Sequence, residues 1–129
     1  MEFTLTSKFP TSPAEVYKTW LNSDGHSTMT GGTATASEKV GDSFTAWDGY
    51  ITGKNIALRP HSIIKQSWRT SEFKESEEDS IIEISIRGNK KETTIILTHT
   101  NVPEHGEQYI KGWEDNYFEP MLRHFSKQK

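Results

Sequence analysis

The chain has 129 residues, a formal net charge of −3 with its histidines neutral, and no cysteine. That length suits one domain over residues 1–129 around one core. Acids and bases are well mixed, which excludes the basic stripe of a nucleic-acid or anionic-membrane surface, and the missing thiols exclude disulfides, thiolate metal sites and cysteine nucleophiles.

Leu, Ile, Val and Phe contribute only 25 residues, close to the level at which disorder becomes a concern. Four Trp, four Tyr and six Phe in periodic patterns decide for a folded chain. Met1-Glu2-Phe3-Thr4 lacks the basic and apolar regions of a secretory leader. No apolar run reaches the roughly 18–20 residues of a membrane span. A cytoplasmic protein is expected.

Residues 2–9 alternate, with Phe3, Leu5 and Phe9 on one face, and predict a half-buried strand. Ser12-Pro13-Ala14-Glu15 predicts a helix start, with Ser12 as cap, Pro13 at the first helical position and Glu15 completing a capping box. Val16, Tyr17, Trp20 and Leu21 form its buried face. Asn22-Ser23-Asp24-Gly25 ends it, and a second short helical turn is predicted from His26 to Thr30.

From Thr33 the periodicity becomes extended, predicting strands at 33–38, 43–47, 50–58, 62–70, 80–87 and 92–101. Asp48-Gly49 reads as a two-residue hairpin turn, because both its central positions favour positive φ. Arg59-Pro60 and Gly88-Asn89-Lys90 mark further turns. The acidic run from Glu72 to Asp79 reads as a solvated loop. After Val102-Pro103 and a hinge at Glu104-His105-Gly106, Ile110, Trp113, Tyr117, Met121 and Phe125 recur at one-face helical spacing. Pro120 inside that helix is expected to kink it.

Five histidines raise the question of a metal, but they show no i, i+4 pair and no His-Glu-x-x-His, so no metal or cofactor is expected. There is no nucleophile elbow and no phosphate-binding loop. The aromatics point elsewhere: a gap between sheet and helix lined by His26, Met29, Phe44, Trp47, Trp68, His99, Trp113 and Tyr117 would hold a small hydrophobic molecule. Thr30 and Arg69 are further polar candidates, and Trp47 and Tyr50 are expected at the mouth. His99 reads first as a structural histidine hydrogen-bonded near the final helix.

Five strings carry a resemblance: Ser12-Pro13-Ala14-Glu15-Val16-Tyr17, Phe44–Gly53, Gln66-Ser67-Trp68-Arg69, Leu97–Pro103 and Gly112-Trp113. With the element order, they resemble the helix-grip superfamily of START-like and Bet v-like domains, and within it the C-terminal domain of the activator of heat-shock protein 90 ATPase. The resemblance implies an α+β fold, with about seven antiparallel strands curved around a long C-terminal helix and two short helices after the first strand. It carries over no catalytic residues, since fold alone does not settle function. The two-domain activators make their main chaperone contact through a separate N-terminal domain with no counterpart in this sequence, so ATPase stimulation by this chain alone is not expected.

The leading expectation is a non-enzymatic binding module for a small hydrophobic ligand. The alternative is a cochaperone-like interaction domain with a chaperone partner, using the acidic loop and the Trp47–Tyr50 turn. A cyclase or hydrolase using His26 or His99 as an acid–base group comes third; two titratable groups within hydrogen-bonding reach in the cavity would favour it.

Overall fold

The computed structural model describes residues 1–127. Six strands form one antiparallel sheet: β1 (Phe3–Phe9), β2 (Ser43–Ala46), β3 (Ile51–Arg59), β4 (Ile63–Thr70), β5 (Ser80–Gly88) and β6 (Thr93–Thr100). Their spatial order is β1-β6-β5-β4-β3-β2. Helices α1 (Pro13–Trp20) and α2 (Ser23–Thr30) follow β1. A 3-10 turn (Glu104–Glu107) leads into the C-terminal helix, made of α3 (Gln108–Trp113), a π turn (Glu114–Phe118) and α4 (Glu119–Ser126).

Each start and stop has a local cause. Ser12 accepts the Glu15 N–H at 3.2 Å and Pro13 opens α1, where a missing N–H is harmless. Asn22, expected within a helix stop, instead caps α2 by accepting the Gly25 N–H at 2.7 Å, so α2 begins at Ser23. Gly31, at φ 93°, ends α2 in the left-handed conformation that glycine adopts without penalty.

The expected count of about seven strands is corrected to six, because 33–38 does not join the ladder. Thr35 alone exchanges both backbone bonds with Thr45, at 3.0 Å each. The N–H groups of Ala34 and Ala36 turn instead to the hydroxyls of Ser27 and Ser23 on α2. Those two donors face away from β2. At the positions that would extend the ladder, Thr33 bonds Asp48 through both its N–H and its carbonyl, and the Ser37 carbonyl accepts from Asn55 Nδ2 at 3.0 Å, so the pairing stops at one bridge.

The two-residue turn at Asp48-Gly49 is also corrected. Ala46 pairs with Ile51, so the connection is four residues long, and Trp47, Asp48 and Gly49 stand at φ 50°, 59° and 89°. Asp48 is drawn away from hairpin pairing by Thr33, whose carbonyl accepts the Asp48 N–H at 2.9 Å and whose N–H donates to Asp48 Oδ1 at 3.1 Å.

In cross-strand register, Leu5, Leu97, Ile84 and Ile64 line up on one sheet face, as do Phe3, His99, Ile82 and Gln66. Ile64, Ile82, Ile84, Ile95 and Leu97 are essentially inaccessible to water. Phe9 meets Phe118 and Phe125 at ring distances of 6.4 and 5.8 Å, closing the core under α4. Along the C-terminal helix Trp113, Tyr117, Met121 and Phe125 are buried; Tyr109 is buried as well, while the expected Ile110 is only half-buried.

Pro120 is the second residue of α4, directly after the π turn. Its ring would press on the Asn116 carbonyl in a regular α-helix. The wider π turn, of a kind often found beside functional sites, relieves that contact. The kink expected at Pro120 therefore takes the form of a local widening of the helix.

Candidate functional site

A cleft of about 420 Å³ opens between the 47–51 turn, β4 and the first half of the C-terminal helix. Trp47, Tyr50 and Ile51 form one side, Trp68 the floor, and Tyr109, Trp113 and Tyr117 the helix side. Gln108, Gly112 and Asn116 complete the lining. Its size and aromatic walls lie within the range typical of small-molecule pockets.

Gly112 is the residue that leaves room. It lies in the middle of the helix wall, and a Cβ built on it would meet nothing closer than Asn116 Nδ2 at 4.0 Å. Across the opening, the Trp47 ring lies so close to Gly32 that a Cβ there would come within 2.5 Å of it. Trp47 is held in a left-handed conformation, which costs a non-glycine residue roughly 1–2 kcal/mol. Its indole nitrogen is the one buried side-chain polar atom without a partner among the described residues. Strain and an unpaired donor coincide at the rim, as happens at sites kept for function.

Behind the aromatic wall lie two histidine networks. His99 is fully buried; its Nδ1 accepts the Trp113 indole N–H at 3.1 Å and its Nε2 lies 2.7 Å from Ser80 Oγ. The Ser80 hydroxyl donates to the Trp68 carbonyl at 2.7 Å. Ser80 therefore accepts from His99 Nε2–H, and every group of the chain is satisfied with a neutral imidazole. Burial pushes the His99 pKa down from 6.5 to about 3. The expectation of a structural histidine fits this geometry.

His26 forms the second network. Its Nδ1 lies 2.8 Å from the Trp20 carbonyl, which can only accept, so that nitrogen carries the proton. Nε2 then accepts the Tyr117 hydroxyl at 2.7 Å. Burial holds the His26 pKa low and the Tyr117 pKa high, so both are neutral in the physiological range. Two titratable groups are thus within reach of each other, yet only the Tyr117 ring faces the cleft. The pair is a packed contact, also stacked edge-on at a ring distance of 5.5 Å, rather than an exposed acid and base.

A third polar chain crosses the sheet: Trp20 Nε1 donates to Gln66 Oε1 at 3.3 Å, and Gln66 Nε2 donates to Asn55 Oδ1 at 2.8 Å. Asn55 in turn donates to the Ser37 and Lys39 carbonyls. Each of these buried groups would cost about 1–3 kcal/mol if left unpaired.

Of the residues expected to line the gap, Trp47, Trp68, Trp113 and Tyr117 come together around the cleft. His26, Met29, Phe44 and His99 are buried outside its lining, as is Thr30, whose hydroxyl donates to the His26 carbonyl at 3.0 Å. Arg69 serves the acidic loop: it donates to Asp79 at 2.7 Å and to the Glu77 and Lys74 carbonyls at 3.1 and 3.0 Å, with Phe73 beneath its guanidinium. The reading missed Tyr109, Gly112 and Asn116, which with Trp113 and Tyr117 make an i, i+3/i+4, i+7/i+8 stripe; that spacing was the signal available.

At the rim the acidic loop reaches the cleft. The Tyr50 hydroxyl donates a short bond to Glu72, and Gln108 Nε2 donates to the same carboxylate at 3.2 Å. Burial and this carboxylate push the Tyr50 pKa up. The Thr70 hydroxyl and the Tyr109 hydroxyl bond at 2.6 Å just inside. Among the described residues no three His, Cys, Asp or Glu side chains are grouped to hold a metal, and no helix is long and apolar enough to cross a membrane.

The antiparallel sheet, two early helices and a long C-terminal helix with a cleft beneath its first half define a helix-grip domain. A family model for the Activator of Hsp90 ATPase homolog 1-like protein matches residues 10–125, and the chain belongs to that family. The activator of 90 kDa heat shock protein ATPase homolog of Dictyostelium discoideum is 28% identical over 124 residues, covering 95% of this chain and 32% of that protein. The human homolog 1 is 28% identical over 125 residues, covering 96% and 37%. The chain thus spans about a third of the length of these curated relatives. The crystal structure of an HSP90 activator from Plasmodium falciparum superposes with a TM-score of 0.78 at 21% identity, covering 92% of this chain and 91% of that one, a likeness of fold.

Proposed function

We propose that this protein is a non-enzymatic binding domain that holds a small, largely apolar molecule in the cleft between the 47–51 turn, β4 and the C-terminal helix. One observation carries the reading: about 420 Å³ of space walled by six aromatic residues and left open by a glycine in mid-helix. Glycine there sacrifices about 1 kcal/mol of helix stability relative to alanine. Trp47 adds strain at the same rim. Local rules broken together at one place, without a packing gain, mark a site under functional demand.

The test is a plug. Gly112→Leu places a side chain into the open space, and native mass spectrometry with mixtures of aromatic and lipid molecules reads occupancy. The wild-type protein is expected to retain a ligand that the folded variant loses. A wild-type protein that retains none, with NMR spectra unmoved by any member of the mixture, would refute the reading.

The family favours a second reading, docking onto a heat-shock protein 90 homologue. The relatives named for that activity are about three times longer than this chain, and their activity belongs to those longer proteins. Under this reading the 72–79 loop and the Trp47–Tyr50 turn form the contact surface. A pull-down with the host's own chaperone, with and without nucleotide, is expected to show binding on the order of tens of micromolar; none at that level removes this reading.

A further inference from the structure

We infer that the occupant of the cleft is an organic cation, a quaternary ammonium or protonated amine carried on a flat apolar body. This rests on the binding reading above and adds the charge of the ligand. The cleft presents six aromatic rings, and among its lining residues there is no Lys, Arg or His. The polar side chains of the lining, apart from tyrosine hydroxyls and the Trp47 indole, are the amides of Gln108 and Asn116. An anion entering here would give up its hydration with no positive group to receive it.

A cation gains instead, because the faces of Trp and Tyr rings carry negative potential and attract ammonium groups within about 6 Å. At the mouth, Glu72 is held by the Tyr50 hydroxyl and by Gln108. A carboxylate has lone pairs beyond those two bonds, so it stays able to face a positive head group. The nearby basic side chains are engaged elsewhere: Arg69 with Asp79 at 2.7 Å and Lys111 with Asp115 at 3.4 Å. The unpaired Trp47 N–H carries no charge and is shielded from solvent, so it is no substitute for a cationic group in receiving an anion.

Three probes of matched shape test the inference: benzyltrimethylammonium, its neutral isostere neopentylbenzene, and 3-phenylpropanoate. Each is titrated into the 129-residue chain at about 0.15 M salt, with the four Trp indole N–H signals followed by ¹⁵N NMR. The cation is expected to bind about tenfold more tightly than the isostere, and the anion more weakly than either. Glu72→Gln, at an exposed position, is expected to weaken the cation about threefold and leave the neutral probe unchanged. Equal or tighter binding of the neutral or anionic probe overturns the cation inference and leaves the binding reading standing. If none of the three shifts the indole signals at millimolar concentration while the wild-type protein still retains a ligand from the mixtures above, the inference alone falls; if neither occurs, both fall.

Discussion

Lowering the pH from 7 to 4.5 is expected to destabilise this fold through His99. An unfolded histidine titrates near 6.5, whereas burial holds the folded imidazole at about 3. Between those values the unfolded chain binds a proton that the native state refuses, so stability rises with pH across the window and is complete above 6.5. At pH 4.5 the unfolded residue is almost wholly protonated and the folded one almost wholly neutral. The gap of two pH units costs about 2.7 kcal/mol at 1.36 kcal/mol per unit. Against the roughly 5–15 kcal/mol typical of a domain, that is a large share.

The assay is urea denaturation followed by tryptophan fluorescence at several pH values, for the wild-type protein and His99→Gln. The glutamine can still offer a donor to Ser80 and an acceptor to Trp113, so the variant is expected to fold, with a loss of about 1–3 kcal/mol at pH 7. Its stability should fall by about 2.3 kcal/mol less than wild type between pH 6.5 and 4.5, because the unfolded histidine is already half protonated at pH 6.5. His26, also held low by burial, contributes slope of the same sign to both proteins and cancels in the comparison. Parallel pH profiles for the two proteins would refute the reasoning.

Gly112→Ala should raise stability by about 0.5–1 kcal/mol, seen as a Tm higher by roughly 2–5 °C in calorimetry, because the added methyl meets open space. Tyr117→Phe leaves His26 Nε2 without its donor and should cost about 1–3 kcal/mol in chemical denaturation. Ser12→Ala removes the cap of α1 and should cost about 1 kcal/mol by the same measurement. Arg69→Met frees the carbonyls of Lys74 and Glu77 and should speed hydrogen exchange and proteolytic nicking within 71–79 while β4 and β5 stay protected.

Much of the fold was legible because its signals are local. Ser12-Pro13 needs only its neighbours to start a helix, and Ile82, Ile84 and Ile86 declare a buried face by spacing alone. Segment 33–38 alternates as a strand does, but the groups that would extend its pairing are taken by Asp48 at Thr33 and by the Asn55 side chain at Ser37, contacts that periodicity does not see. The same division runs through the cleft. Large rings such as Trp68 and Trp113 are conspicuous in a sequence, whereas the opening is made by Gly112, a residue with nothing to display. A buried histidine among aromatics reads like a pocket group; only the partners of His26 and His99, far off along the chain, show that both are fully engaged behind the wall.

The π turn before Pro120 settles a question of phase. Twelve residues separate Trp113 from Phe125, and at about 100° each a regular α-helix would turn about 120° past three full revolutions. Phe125 would then point away from Phe9. A π turn absorbs one extra residue, taking up about 100° of that excess, and both rings come to the same side. The fourfold spacing of the buried positions from Trp113 onward and the bulge are therefore one adaptation. Deleting a single residue between Glu114 and Asn116 would remove the bulge yet leave eleven residues of regular helix between Trp113 and Phe125, about 20° past three revolutions, so Met121 and Phe125 would keep facing the core. Deleting a second residue would swing them about 100° out of it.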